Sequence, residues 1–566
     1  MNRFLILSAC LLAAGNASPL VPDIKPRDIC GGNTATTRTE WCDFDINTDY
    51  YNVVPETGVT REYFFELQDV TVSLDGVSRP AIAVNGSIPG PTIFADWGDT
   101  VVVHVTNSLT TSGNGSSIHF HGIRQNFTNQ NDGVVSITQC PTAVGETTTY
   151  TWRATQYGST WYHSHFALQA WEGVFGGIII NGPASSNYDE DLGMVFLNDW
   201  SHQTVDALYM SAQTNGPPTM DNGLINGTNV FGSDDSDDQT GSRLELSVTE
   251  GASYRLRLVN SAIDTFFKFS VDNHTLTVIG MDLVPIEPYT TEFVNIGIGQ
   301  RYDIILTADQ AAVATDFWMR AIPQVACSDN DSADNIKAIV HYGDSTATPS
   351  TTGFEYTDSC HDEDLSNLVP IVRKVVGDDS NELLEIATAG VVNNLFKWFL
   401  NSTTMVVDWA DPTLLQISNN VTTFDNSDAV IELPNANEWV YVVIQTTLAV
   451  THPIHLHGFD YFVLAQGTGT FSSDSVALNT NNPPRRDTAM LPPSGYLVLA
   501  FETDNPGAWL MHCHIGWHTS EGFALQFVVR RDEIPGLIDS TTLENTCSAW
   551  SSYAAESSVE QDDSGV

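Results

Sequence analysis

The chain has 566 residues, which is too long for one hydrophobic core and predicts two to four domains. Hydrophobic residues make up 42% of the chain and aromatic residues 10%, a composition that excludes a disordered protein. The formal net charge of −47 at pH 7 argues against nucleic acid and anionic membrane surfaces as partners, and is typical of a secreted protein in acidic surroundings.

The N-terminus has the pattern of an export signal. Arg3 precedes the apolar run Phe4–Ala14, and Gly15-Asn16-Ala17 provides the small residues of a cleavage site. The run is too short to span a bilayer, and no later stretch approaches about 18 uninterrupted apolar residues. We therefore expect a secreted, extracellular chain without a membrane segment, with a signal peptide over 1–17 and a short pro-segment over 18–28.

The cysteines fit an oxidising compartment. Of the 8 cysteines, Cys10 leaves with the signal, and the odd number that remains predicts disulfides and one free thiol. Cys513 is the expected free thiol because it lies among histidines. Sequons for N-glycosylation occur at Asn85, Asn114, Asn126, Asn226, Asn273, Asn330, Asn401 and Asn420.

Short alternating apolar runs between Gly, Pro and Asn turns predict an all-β chain. One strand pattern recurs over Gly98–Asn107, Gly251–Asn260 and, in degenerate form, Asn437–Ile444. The starts are separated by 251 − 98 = 153 and 437 − 251 = 186 residues, each the size of a β-sandwich or barrel domain. With linkers around 182–186 and over the Ser/Thr-rich stretch 345–352, the predicted domains span 29–183, 184–352 and 353–566, the last with an acidic tail.

Histidines at alternate positions are the strongest signal in the chain. Side chains at i and i+2 of a strand point to one face, so each pair can direct both rings at one metal centre. The middle predicted domain has no such pair. The four His-x-His pairs are His119 and His121, His163 and His165, His455 and His457, and His512 and His514.

The pair that encloses Cys513 predicts two metal sites joined by one strand. Cys513 points away from His512 and His514, so it faces a different centre. Two histidines and one cysteine are the ligands of a blue-copper site, and His452 and His518 complete that set. The four pairs then suffice for a second, multinuclear site. The alternatives are satisfied core histidines, or a zinc hydrolase, which the absence of a His-Glu-x-x-His motif disfavours.

With these motifs the chain resembles the multicopper oxidases, and within them the ascomycete-type laccases of filamentous fungi. The resemblance implies three cupredoxin-like Greek-key β-sandwich or barrel domains, with a trinuclear site between the first and third. It implies four coppers per chain. Type 1 copper takes His452, Cys513 and His518, and type 2 takes His119 and His455. One type 3 copper takes His121, His163 and His514, and the other takes His165, His457 and His512.

The resemblance also implies the reaction. A laccase removes single electrons from phenols or aromatic amines at type 1 copper, and reduces O2 to water at the trinuclear cluster. Those small molecules and O2 are the expected partners, and a monomer is expected. The alternatives are another multicopper oxidase, acting on ascorbate, bilirubin or Fe(II), and a copper-storage or electron-carrier protein without turnover.

Five further features come from the resemblance. Asp132 matches a carboxylate that delivers protons to the cluster, and Asp221 matches one that binds the phenolic hydroxyl; both have the alternative of a turn residue. Phe523 occupies the axial position over type 1 copper, where the laccases nearest in pattern mostly have leucine. The end, Asp563–Val566, matches a tail that plugs the channel to the cluster, with a disordered tail as its alternative. The implied disulfides are Cys30–Cys42, Cys140–Cys547 and Cys327–Cys360.

Overall fold

The structure is a computed structural model that describes residues 31–234 and 236–566. The predicted signal peptide, the pro-segment and Cys30 lie outside the described residues, so the Cys30–Cys42 bridge stays a prediction. Within the described part of the chain, no helix combines the length and apolar character that crossing a membrane requires.

Strands dominate the chain. The first third contains β1 (Glu40–Trp41), β2 (Phe44–Asp45), β3 (Thr60–Val72), β4 (Arg79–Val84), β5 (Gly90–Asp96), β6 (Thr100–Ser108), β7 (His119–His121), β8 (Thr147–Arg153), β9 (Gly158–His163) and β10 (Phe175–Asn181). The middle third contains β11 (Glu190–Trp200), β12 (Asn222–Ile225), β13 (Val230–Phe231), β14 (Thr240–Gly241), β15 (Glu245–Val248), β16 (Ser253–Asn260), β17 (Phe267–Val271), β18 (Leu276–Met281), β19 (Val284–Thr291), β20 (Val294–Ile296), β21 (Arg301–Thr307), β22 (Asp316–Pro323) and β23 (Lys337–Tyr342).

The last third contains β24 (Asp379–Val392), β25 (Leu395–Leu400), β26 (Val430–Leu433), β27 (Trp439–Thr446), β28 (His452–Leu456), β29 (Tyr461–Thr468), β30 (Arg485–Arg486), β31 (Thr488–Leu491), β32 (Gly495–Glu502), β33 (Gly507–Cys513) and β34 (Ala524–Val529). The helices are α1 (Val205–Asn215), α2 (Thr413–Ser418), α3 (Gly516–Ser520) and α4 (Ser540–Ser557). Short 3₁₀ turns cover Asn129–Asn131, Gln169–Glu172, Asn426–Asp428 and Arg531–Gly536.

The larger sheets form three consecutive pairs. The first pair has the orders β4-β3-β6-β8 and β5-β10-β9-β7. The second has β12-β11-β16-β21-β18-β19 and β15-β23-β22-β17-β20, and the third has β25-β24-β27-β32-β29-β30 and β26-β34-β33-β28-β31. The predicted all-β fold of three cupredoxin domains is confirmed. The exact domain boundaries stay a prediction.

The recurring strand pattern occupies one topological position three times. Strand β6 pairs parallel with β3 and antiparallel with β8. Strand β16 pairs in the same way with β11 and β21, and β27 with β24 and β32. Each copy is therefore an interior strand whose apolar side chains face a core, a position that requires the same apolar alternation in all three.

Two of the implied disulfides are confirmed. Cys140 bonds Cys547 and so ties helix α4 to the first third of the chain, across 407 residues. Cys327 bonds Cys360 across 33 residues. Within the described residues, Cys513 is a free, buried cysteine, as predicted.

Candidate metal centre and substrate cavity

Two strand pairings bring the histidine motifs together. Strand β7 pairs with β9, which places His119 opposite His163. Strand β28 pairs with β33, which places His455 opposite His512. All four motifs lie on, or directly after, buried strands, and rings of the first third meet rings of the last third. The ring centroids of His119 and His457 are 4.0 Å apart, and those of His121 and His455 are 3.9 Å apart. The middle third contributes none of these histidines.

The predicted ligand sets are grouped in space. In each of the following sets the candidate ligand atoms lie within 4.8 Å of one another: His121, His163 and His514; His165, His457 and His512; His452, Cys513 and His518; and His119, His121 and His455. Every member is buried. The structure thus brings together all the residues that the resemblance assigns to copper, while copper ligation itself stays a prediction.

The ring nitrogens have the hydrogen bonds of metal ligands. His119 Nδ1 donates to the carbonyl oxygen of Asp132 at 2.8 Å, and His455 Nδ1 to that of Asp487 at 2.8 Å. His163 Nδ1 donates to Ser164 O at 2.9 Å. Each bond fixes the proton on Nδ1 and leaves a lone pair on Nε2, which has no hydrogen-bond partner in any of the three rings among the described residues. A bound metal would satisfy these buried atoms.

Burial keeps these rings in the ligand-competent form. It lowers the pKa of His163, His165 and His457 well below the usual value, with neighbouring histidines adding to the effect. The same cause lowers the pKa of His512 to about 4. Neutral imidazole is the form that binds a metal, so the donor set fits copper without any prior deprotonation.

A second, mononuclear set surrounds Cys513. Its Sγ lies 3.7 Å from His452 Nδ1 and 3.5 Å from His518 Nδ1, and these two nitrogens are 3.2 Å apart. Two imidazole nitrogens and a sulfur that converge in this way form the trigonal set of a blue-copper site. Burial raises the pKa of the Cys513 thiol, so its thiolate needs a metal cation to form.

Aromatic rings cover the mononuclear set. Phe523 is buried, and its ring centroid lies 4.9 Å from that of His452. It stacks at 5.3 Å on Trp398, which in turn contacts the His518 ring at 4.3 Å. Phe523 therefore lies beside the predicted type 1 ligands, where it excludes water and offers no ligand atom.

Two carboxylates support the trinuclear histidines. Asp132 Oδ2 lies 2.9 Å from His457 Nδ1, which places this predicted residue in contact with the cluster. Asp487 was not predicted. Its Oδ1 lies 3.0 Å from His121 Nε2 and accepts from Arg301 Nη1 at 2.6 Å. In the sequence, Asp487 follows Arg485 and Arg486, and this charged triplet is the signal that could have identified it. All three residues are buried in the structure.

A cavity of about 610 Å³ opens on the mononuclear site. His518 forms part of its wall, together with apolar residues such as Phe396 and Trp398. Asp264 and Glu521 line it as well, and neither was predicted, because nothing in their spacing separates them from other loop carboxylates.

The structure does not bring Asp221 to this cavity. Its carboxylate instead accepts hydrogen bonds from Ser201 Oγ and the His202 amide, both at 2.8 Å. These hydrogen bonds order the chain after β11, and the substrate-binding role of Asp221 stays a prediction.

The C-terminal residues lie against the histidine cluster. Val566 is buried and lines a cavity of about 20 Å³ with His163 and His514. Ser564 Oγ donates to Thr519 O at 2.8 Å, and Ser136 Oγ donates to Gly565 O at 2.7 Å. The end of the tail is therefore packed in place, which contradicts the alternative of a disordered segment.

Comparisons with known proteins agree with this geometry. Sequence profiles of the multicopper oxidase family match residues 66–185, 191–345 and 404–533. The chain is 47% identical to Laccase-2 of Botryotinia fuckeliana, over 97% of this chain and 96% of that protein. It matches the crystal structure of a laccase from Botrytis aclada with a TM-score of 0.90 at 46% identity, over 94% and 99% of the two chains. It matches Fet3p, a multicopper oxidase that functions in iron import, with a TM-score of 0.78 at 26% identity, over 89% and 96%.

Proposed function

The chain belongs to the multicopper oxidase family and is a laccase-type oxidoreductase, and on this premise we propose that it oxidises phenols and aromatic amines by single electrons and reduces O2 to water. The observation that carries the proposal is the strand end His512-Cys513-His514. Cys513 faces His452 and His518 beside the open cavity, whereas its two neighbours face the buried histidine cluster. One short backbone segment therefore connects a site for organic reductants with a separate site for oxygen.

We assign four coppers to these residues. Type 1 copper is held by His452, Cys513 and His518, and type 2 copper by His119 and His455. The two type 3 coppers are held by His121, His163 and His514, and by His165, His457 and His512. Bound copper supplies the one-electron redox chemistry and the capacity to take four electrons to O2.

We place the organic substrate in the cavity beside His518. An aromatic ring that packs on Phe396 and Trp398 lies against the wall to which His518 contributes, so electron transfer needs only a short distance. A phenol loses a proton together with its electron. Asp264 lines the same cavity, and burial raises its pKa to about 8, so its ionised fraction is a base that can take the hydroxyl proton, the role that the resemblance implies for Asp221.

Two buried carboxylates lie beside the histidine cluster at which we place the reduction of O2. Asp132 holds the His457 ring, and Asp487 holds the His121 ring in a geometry that Arg301 stabilises. Both lie within hydrogen-bond distance of ring nitrogens, so they can pass protons towards the site where water forms. Val566 restricts access to this site from the side of His163 and His514.

We place the enzyme outside the cell. The export signal, the two disulfides and the sequons support this proposal. The sequon residue Asn330 is 8% exposed, and its side-chain amide donates to Asn222 O at 2.9 Å, so we do not expect a glycan there. The exposed sequons are the candidates for glycosylation.

Oxygen consumption by the copper-loaded protein tests the function. We expect rapid uptake with a neutral phenol, and slow uptake with ascorbate or Fe(II) assayed side by side at equal concentration. Faster uptake with Fe(II) or ascorbate than with the phenol would replace the laccase assignment by another oxidase of the same family. No uptake with any of the three would favour a storage or carrier protein.

Copper content tests the ligand assignment. The wild-type chain should hold four coppers and show strong blue absorption from the Cys513 thiolate. The Cys513→Ser variant should lose the blue colour and the copper at His452 and His518, and keep the copper of the histidine cluster. Zinc, or a single copper, in the wild-type protein would contradict the assignment.

A further inference from the structure

The cavity beside His518 contains two buried carboxyl groups without a paired cation. Asp264 is 7% exposed and Glu521 is 3% exposed, and both line the cavity. In the described part of the chain, neither forms an ion pair with a lysine or an arginine. Lys397 acts on Glu521 electrostatically, but from beyond ion-pair distance, and no cation acts on Asp264 in this way.

Several other buried carboxylates of this protein do have a cation. Asp282 Oδ2 accepts from Arg486 Nε at 2.8 Å, and Asp303 Oδ2 accepts from Arg255 Nη2 at 2.9 Å. An ionised carboxylate is costly to bury unless a partner compensates its charge. Asp264 and Glu521 line an open cavity instead of facing an arginine, so a cationic ligand in that cavity would compensate their charge.

The other charged group at this cavity is also a carboxylate. Asp329 lies at its exposed rim, and no lysine or arginine is among the described residues that line it. Burial is the main cause that raises the pKa of Asp264 to about 8, and Asp199 and Asp329 add to it. Burial likewise raises the pKa of Glu521 to about 8, with Lys397 and Trp398 partly offsetting this and Asp264 adding to it. A cation in the cavity would oppose both effects.

We propose that this cavity selects aromatic substrates that carry a protonated amino group, with Asp264 and Glu521 pairing that group and Glu521 acting as a specificity-determining residue. The inference rests on the proposed laccase function and names a substrate class for the same cavity. The ring of such a compound packs on Phe396 and Trp398 while its ammonium group reaches the carboxyl groups. Aromatic anions are disfavoured, because the cavity walls offer them carboxyl groups and no cation.

Binding of compounds that the enzyme cannot oxidise provides the test. Benzylammonium, benzyl alcohol and benzoate share one ring and differ in charge. Isothermal titration of each into the copper-loaded enzyme near neutral pH measures affinity without turnover. We expect benzylammonium to bind about tenfold more tightly than benzyl alcohol, as one charge-assisted hydrogen bond allows, and benzoate to bind more weakly than both.

Substitutions at two buried glutamates test whether Glu521 causes the preference for benzylammonium. Glu521→Gln should weaken benzylammonium binding about tenfold and leave benzyl alcohol nearly unchanged. Glu385→Gln removes another buried carboxyl group, on strand β24 away from this cavity, and should change neither affinity. If Glu521→Gln does not yield folded, blue protein, Asp264→Asn takes its place and should weaken benzylammonium binding. The order of affinities of the wild-type enzyme for the three probes then tests the charge preference.

Two results would overturn the inference. One is equal affinity of the wild-type enzyme for the three probes, or preference for benzoate. The other is unchanged benzylammonium affinity in folded Glu521→Gln, which removes Glu521 from the pairing. Oxygen uptake with a neutral phenol is independent of these titrations. A wild-type enzyme that oxidises the phenol but shows no charge preference therefore contradicts this inference alone, whereas absent phenol oxidation contradicts the proposed function.

Discussion

A phenolic substrate needs an acceptor for its hydroxyl proton beside His518, and single carboxylates compete for that role. Asp264 lines the cavity, whereas Asp221 is held by Ser201 and the His202 amide. Asp264→Asn should lower kcat/KM for phenols about 100-fold, or about 2.7 kcal/mol of transition-state stabilisation. A non-phenolic one-electron donor should lose much less, because it releases no hydroxyl proton.

Asp221→Asn is the matched control for this prediction. Steady-state kinetics with a phenol and a non-phenolic donor should show little selective loss in this variant. If Asp221→Asn instead lowers phenol turnover alone, Asp221 is the proton acceptor and Asp264 is not. Equal losses with both donors would mean that the carboxylate orders a loop.

The resemblance predicts that Phe523 would lie over a type 1 copper held by His452, Cys513 and His518. Its ring packs against His452 and Trp398 and cannot ligate. A three-coordinate site favours reduced copper and a high potential. Phe523→Met should add a soft axial ligand and lower the type 1 potential in a redox titration, while Phe523→Leu should leave it nearly unchanged. A potential that methionine does not alter would show that Phe523 does not lie over the copper.

Helix α4 is attached to the molecule by a covalent link as well as by packing. Cys547 bonds Cys140, and Trp550 on the same helix is buried against Phe166. In the chain-entropy treatment, closing this 407-residue separation stabilises the fold by about 6 kcal/mol, against about 4 kcal/mol for the 33 residues between Cys327 and Cys360.

Replacing both cysteines of the long bridge by serine should therefore lower Tm more than the same change in the short bridge. Differential scanning calorimetry of the two double variants measures the difference. A larger loss from Cys327→Ser with Cys360→Ser would mean that local packing at the cavity wall, and not loop closure, dominates the effect of a disulfide here.

Across the whole molecule, acidic residues outnumber basic ones by 69 to 22, and some of the carboxyl groups are buried. Burial raises the pKa of Glu385 to about 7, above its ordinary value of 4.5. The folded state therefore holds this proton more tightly than the unfolded state. The resulting stabilisation is fully present below about pH 4.5 and is lost as the pH rises through 7.

Glu385→Gln keeps the neutral shape and removes the titration. It should match the wild-type Tm in acid and exceed it above pH 7, by about 1 °C for each kcal/mol of relief in a chain of 566 residues. Glu382→Gln, an exposed position on the same strand, should show no such pH dependence. Parallel thermal-melting curves in acid and above pH 7 check this, and a constant Tm difference between wild type and Glu385→Gln would contradict it.

Much of the fold and most of the metal centre could be predicted from the sequence, because strand geometry is local. Alternation at i and i+2 already placed Cys513 on one side of its strand and His512 and His514 on the other. The recurring pattern around β6, β16 and β27 predicted three similar domains, since an interior strand requires the same apolar alternation each time. The resemblance, carried by complete motifs, assigned each histidine to a group that the structure then brought together.

Tertiary structure alone decided what faces the cavity and what supports the cluster. Asp264 and Glu521 carry no distinguishing spacing, and the triplet that contains Asp487 does not by itself reveal that its carboxylate meets His121 and Arg301. Asp221 has the better local motif, but only the tertiary structure shows that its carboxylate accepts from Ser201 and the His202 amide and that it is not among the residues lining the cavity. Ligand geometry on one strand follows from the backbone repeat, whereas the exposure and charge partners of a loop side chain depend on whatever the rest of the fold places beside it.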